Sequence, residues 1–170
     1  MARGLFTSDF VLSLAIFMIV LALAAPLWDH VRAQAAYSSV QYRIQADALA
    51  ASDALVRSPG NPRDWDAASV MSMGLADEEH MLNGTKVSMM FNMLKADYPA
   101  AKGRMGLAPY DLNISITDGN GQTIDLQGNE TGFASDAPVS VAAFNVRRIA
   151  LLEANSTHRQ IVNINLVVWR

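Results

Sequence analysis

The sequence predicts an α+β protein: a long N-terminal hydrophobic helix, membrane-spanning and then amphipathic, followed by a C-terminal antiparallel β-sheet domain. Three observations carry this prediction. From Phe10 to Leu27 the only polar side chain is Ser13. From Tyr37 to Leu55 the apolar residues keep a helical spacing. From Tyr110 onward the spacing changes to two, the period of a strand with one buried face. These place a helix over 5–57 and a folded domain over 58–170.

A chain of 170 residues allows one modest core and one extra long element. The apolar fraction of 51% is uneven, because residues 10–27 hold a large share of it. A formal charge of -3, with no cluster of Lys or Arg, argues against nucleic acid as a partner. The absence of cysteine excludes disulfides, thiolate metal sites and cysteine nucleophiles together.

Residues 10–27 would span roughly 27 Å as a helix, close to the hydrocarbon thickness of a bilayer at about 30 Å. Eleven of them are Leu, Ile, Val or Phe. At about 0.3–0.6 kcal/mol each they favour insertion by very roughly 3–7 kcal/mol. A secretory signal peptide is the plainer alternative, with Arg3 as its basic region and Ala22-Leu23-Ala24 as its cleavage site. The apolar run exceeds the usual length of such a segment, about 7–15 residues, and Asp9 stands where positive charge is preferred. An uncleaved membrane anchor is the other alternative.

The arrangement Met1-Ala2-Arg3-Gly4, then Leu5-Phe6-Thr7-Ser8-Asp9-Phe10, resembles the class III signal sequence of type IV prepilins and of archaeal pilins and archaellins. The resemblance implies cleavage by a membrane peptidase between Gly4 and Leu5, which leaves the apolar segment in the mature protein. It makes residues 1–4 a leader, 5–57 the assembly and membrane helix, and 58–170 an extracellular domain. Asp9 becomes the acid near the new N-terminus, at the head of the run that starts with Phe10. Pro26 falls about where many bacterial pilins have a helix-weakening proline. A carboxylate deep in hydrocarbon costs up to about 2.5–3.5 kcal/mol, less near one end, and pairing with an α-ammonium would remove much of that. Asp9 then sets register between neighbouring helices. The alternative is that it caps the helix after Thr7-Ser8.

Beyond the apolar run, Tyr37, Val40, Ile44, Ala48, Ala51 and Leu55 form a heptad-like stripe, with Arg43, Asp47, Asp53 and Arg57 mostly off it. Pro26 removes one backbone hydrogen bond and kinks or loosens the helix. Ser58-Pro59-Gly60-Asn61-Pro62 ends it. Trp65 follows as a core anchor, and the stretch from Pro59 to Trp65 looks like one found after the long helix of archaeal pilin-like proteins.

Between Asp66 and Leu107 the pattern is helical in short pieces, with Val87, Met90, Phe91 and Leu94 on one buried face. Met89, Met90 and Met93 are read as core fillers rather than a binding groove. Leu112 to Ile116 alternates, Asp118 to Gly121 turns and Gln122 to Leu126 returns, predicting a hairpin. Residues 132–138 read as a loop. Strands over 141–152 and 160–169 flank Asn155-Ser156-Thr157, and the last strand is apolar enough to be central.

No catalytic constellation is visible, and the expectation is that the chain is not an enzyme and needs no cofactor or metal. His30, His80 and His158 are far apart, and Asp77-Glu78-Glu79-His80 reads as a solvated surface or helix start rather than a ligand set. Four N-x-[ST] sequons, at Asn83, Asn113, Asn129 and Asn155, are candidate glycosylation sites on an exported domain. The resemblance therefore implies a structural subunit of a type IV pilus-like surface filament, with adhesion or another surface role for the sheet. Its implied partners are copies of itself or sister pilins, a prepilin peptidase, an assembly ATPase with its membrane platform, and the membrane. The competing expectation is a membrane-anchored extracellular binding module that does not polymerise; an anchored hydrolase is weaker, for want of catalytic residues.

Overall fold

The computed structural model describes residues 3–126, 128–135, 143–155 and 158–170, with the side chains of 3–7, 36, 129, 155 and 158 outside that description. Helix α1 runs from Arg3 to Arg57 and carries Pro26 inside it. It ends where the Pro-Gly-x-Pro stretch predicts, and basic Arg57 in the last turn complements the negative end of the helix dipole. Two units are distinguished: the chain through Tyr42, and Arg43–Arg170.

In the second unit, the orphan carbonyls at the end of α1 are satisfied by the chain that follows it. Leu55 O accepts from Leu75 N at 3.0 Å, Val56 O from His80 N at 2.9 Å, and Ser58 O from Ala76 N at 3.1 Å. These bonds align strands β1 (Ala76–Glu78) and β2 (Met81–Asn83), an antiparallel pair turned at Glu79-His80. His80 has φ 63, a left-handed conformation suited to a turn. Asp77 to His80 are therefore a strand end and a tight turn, not the start of a helix, because the carbonyls of α1 pull this backbone into extended form.

Helices α2 (Gly84–Ala96) and α3 (Tyr98–Arg104) follow. Asn83 caps α2, its Oδ1 accepting from Thr85 N at 2.8 Å and Lys86 N at 3.2 Å. Asp97 joins the two helices, and its Oδ1 accepts from Ala100 N at the start of α3. Val87, Met90, Phe91 and Leu94 are buried as their spacing predicts, and Met93 is buried with them.

The remaining strands are β3 (Asp111–Thr117), β4 (Asp125–Leu126), β5 (Asn129–Glu130), β6 (Gly132–Ala134), β7 (Ala143–Asn155) and β8 (His158–Trp169). Six strands form a sheet in the order β1-β2-β7-β8-β3-β6, while β4 and β5 pair separately. The last strand is central, between β7 and β3. Pairing is antiparallel throughout the sheet except between β2 and β7, which run parallel. The inner face carries Leu112, Ile114 and Ile116 from β3, Val162, Ile164, Leu166 and Val168 from β8, and Val146, Ala150 and Leu152 from β7. They join one core with Ile44, Ala48, Ala51, Leu55 and Val56 of α1. Each fully buried Leu, Ile or Val contributes roughly 1.5–3 kcal/mol.

The predicted hairpin over 112–126 is not formed as such. Thr117 and Thr123 make a single bridge, after which the return segment turns to pair with β5. Its place beside β3 goes to Thr131 and β6, so Gly132 to Ala134 are strand rather than loop; residues 136–138 of that predicted loop lie outside the described residues. Thr131 is buried and supplies the reason. Its carbonyl accepts from Ile116 N at 2.8 Å, and its Oγ1 lies 2.8 Å from both Ile116 O and Ile124 O. These contacts use the β3 groups that a simple hairpin would have paired.

Two polar ties join α1 to the sheet side of this unit. Arg148 of β7 meets Asp53 at 2.8 Å and donates to Ser52 Oγ at 3.2 Å. The buried Tyr110 hydroxyl donates to Asp47 at 2.7 Å. Burial, together with the hydrogen bond to Asp47 and its charge, raises the phenol above its usual value of 10.0. A raised phenol stabilises the fold fully below the unfolded value and progressively less as pH rises through the folded one. Tyr110→Phe is therefore expected to lower stability by about 1–2 kcal/mol at neutral pH, with the deficit shrinking above about pH 10. Urea melts of the two proteins across that range check both the size and the sign.

Candidate functional site

The candidate site is the apolar stretch of α1, and its sequence explains its form. A run of Leu, Ile, Val, Ala, Phe and Met, in which Ser13 alone has a side chain able to compete for backbone hydrogen bonds, favours helix over alternatives. The helix continues through Pro26, where the missing N–H leaves one backbone carbonyl without its usual partner. The large apolar side chains from Phe10 to Leu27 are each 49–68% exposed. Such values hold on every side of the helix. The stretch lies within a helix long and apolar enough to cross a membrane, by length and composition, with a window of mean hydropathy 2.7.

Gly4 and Leu5 fall in the first turn of α1, among residues whose side chains are not described, and Met1 and Ala2 of the expected leader lie outside the described residues. Asp9 is exposed and stands on the second turn, since α1 begins at Arg3; it does not cap the helix of the intact chain. Phe10 is exposed next to it. Of the helical stripe, Ile44, Ala48, Ala51 and Leu55 are buried, whereas Tyr37 and Val40 are exposed and belong to the first unit. The spacing that makes an apolar stripe is the same whether or not a partner covers it.

Trp65 is buried, and its Nε1 lies 3.1 Å from Pro59 O and 2.9 Å from Gly74 O, tying the loop after α1 to itself. Lys86, also buried, donates to Pro59 O at 3.1 Å and meets Asp77 at 3.3 Å. Both are structural clamps on the Pro-Gly stretch. The four sequon asparagines are scattered. Asn83 Nδ2 donates to Asp77 at 2.8 Å while its oxygen caps α2, so its side chain is engaged at both ends. Asn113 is on β3 and accepts from Ser135 N. Asn129 opens β5 and Asn155 closes β7, with Ser156 and Thr157 outside the described residues.

Among the described residues, no group of three or more His, Asp or Glu is placed to hold a metal ion. An open groove of about 370 Å³ lies on the sheet, lined by Asn113 and Ser115 of β3, Asn165 of β8, and Glu130, Gly132 and Ala134. Sequence reasoning missed this groove, since it depends on the pairing of β6 with β3. It also passed over Trp28 and Arg32, whose guanidinium carbon stands 5.2 Å from the indole centroid. Their four-residue spacing was the available signal. No family profile, curated protein or solved structure matches this chain.

Proposed function

We propose that this chain is a structural subunit of a type IV pilus-like surface filament, of the archaeal pilin kind, that assembles through α1. The supporting observation is the exposed apolar stretch from Phe10 to Leu27, none of which belongs to the core of the second unit. Exposed apolar area on this scale is stable only in lipid or against other apolar surfaces. A subunit held in the membrane can exchange lipid for neighbouring helices at little hydrophobic cost, so the membrane serves as a reservoir. In this reading Gly4–Leu5 is the processing bond, and the partners are copies or sister pilins, a prepilin peptidase, and an assembly ATPase with its membrane platform.

Gly4→Leu is the direct test. The variant is expected to keep residues 1–4, remain in the membrane fraction and give no filaments by electron microscopy of sheared surface material. A variant with the wild-type mature mass and normal filaments would remove both the processing and the assembly steps.

The groove on the sheet favours a second reading, a membrane-anchored extracellular binding module that does not polymerise. It requires a monomer in detergent and at the surface, and indifference to changes at Asp9.

A further inference from the structure

Leu27 closes the apolar run, and Trp28, Asp29, His30 and Arg32 follow within five residues. We propose that Trp28 and Arg32 form a lipid headgroup anchor, with the indole at the glycerol level and the guanidinium on lipid phosphate. The inference rests on the membrane half of the proposed function and adds the chemistry that fixes the depth of α1.

Side chains on a helix lean toward its N-terminus. The Trp28 ring therefore leans back over the end of the apolar run. Arg32, one turn and about 6 Å farther along the axis, leans back over Trp28. The observed stack agrees, with 5.2 Å between guanidinium carbon and ring centroid. Trp28 is 59% exposed, and Arg32 is exposed as well. Asp29, three residues before Arg32, is the competing anion, yet none of the described ion pairs joins them. His30 lies about 200° around the helix from Trp28 and does not share this face.

An indole prefers the boundary between hydrocarbon and water, where its ring meets acyl chain and its N–H meets polar groups. A guanidinium stacked on that ring presents its N–H fork outward, in the geometry that matches a phosphate. The two groups thus follow the apolar run in the order in which a bilayer presents its own layers: hydrocarbon, glycerol, phosphate. A neighbouring subunit could cover Trp28, but nothing about such a contact requires the ring to fall at the first residue past the run.

The test uses the full chain in phosphatidylcholine–phosphatidylglycerol vesicles, in buffer without phosphate, with bromine quenchers at defined acyl depths. Subtracting the signal of Trp28→Phe isolates Trp28 from the buried Trp65 and Trp169. Quenching of Trp28 should be strongest with bromines just below the glycerol and about twofold weaker with bromines near the chain ends. Carbon–phosphorus dipolar dephasing of labelled arginine guanidinium carbons should fall in Arg32→Gln. Retention of the chain through alkaline carbonate extraction, with Trp28 unquenched or quenched most at the bilayer centre, would overturn the anchor alone. So would dephasing unchanged by Arg32→Gln. Release of the chain by carbonate would overturn the membrane reading and the anchor together.

Discussion

Asp9→Ala is expected to leave membrane insertion intact while cutting filament yield by about a hundredfold. In lipid the substitution removes a costly carboxylate and adds a small apolar side chain, so the membrane-held subunit is unharmed or slightly stabilised. In a filament the balance reverses. In the proposed filament the apolar stretches of neighbouring subunits would pack in a water-poor core, and Asp9 would pair with an α-ammonium freed by cleavage before Leu5. Removing one partner of a desolvated pair costs about 3–5 kcal/mol, because the other charge is left unpaired. About 3 kcal/mol per added subunit is a factor of roughly 100 in its association equilibrium. Membrane and sheared surface fractions, quantified separately, check the two halves of this expectation. Normal filament yield from Asp9→Ala would sink the register role, and loss of the variant from membranes would show that Asp9 serves insertion instead.

Gly74→Ala should be the most damaging single methyl group in the second unit. A Cβ at Gly74 would stand 2.2 Å from Ser58 O, 2.4 Å from Gly60 N and 2.7 Å from Ser58 C. All three are backbone atoms, so no side chain can swing aside. The segments that would have to part also carry Leu75 N to Leu55 O, Ala76 N to Ser58 O, and Trp65 Nε1 to Gly74 O. Overpacking alone costs about 1–3 kcal/mol, and losing these buried bonds adds to it. A total above about 4 kcal/mol is a large part of the 5–15 kcal/mol that keeps a domain folded. Gly103→Ala is the control: it lies in α3 with nothing within 4 Å of its added Cβ, and should be neutral or stabilising by up to about 1 kcal/mol. Thermal melts of the full chain in detergent, followed by tryptophan fluorescence, compare them. A Gly74→Ala midpoint within about 4 °C of wild type would contradict the packing described here.

The parts of the fold that sequence made legible are those decided locally. Two prolines and a glycine end α1 at Arg57 whatever surrounds them. The continuous apolar character of β8 implied burial between neighbours, and it lies between β7 and β3. Trp65 is buried as expected of the one large aromatic in a Pro-Gly loop. What was not legible depends on partners distant in sequence. Alternation over 112–116 and 122–126 shows two extended segments but not that Thr131 would displace the second from β3. Asp77 to His80 read as a solvated surface or a helix start; Glu78, Glu79 and His80 are exposed, but the carbonyls of Leu55, Val56 and Ser58 draw the neighbouring backbone into strands and a turn rather than a helix. The parallel pairing of β2 with β7 joins residues about 70 positions apart in sequence, beyond the reach of any local pattern.

The candidate site divides in the same way. The apolar run was legible because eighteen residues of such composition make a helix long and apolar enough to cross a membrane. Trp28 and Arg32 were less so, since two residues four apart carry meaning only once the helix is known to continue through Pro26. Gly4, Leu5 and Asp9 were marked by the resemblance of the first ten residues, and the roles proposed for them belong to cleavage and assembly rather than to the fold.

The most direct test of the account is the mature N-terminus of the chain in sheared surface material and in membranes, read by mass spectrometry of the N-terminal peptide. A start at Leu5 in both fractions is the predicted result, with the whole apolar stretch of α1 carried into the surface material. A start near Ala25, or an intact Met1 or Ala2, would contradict it.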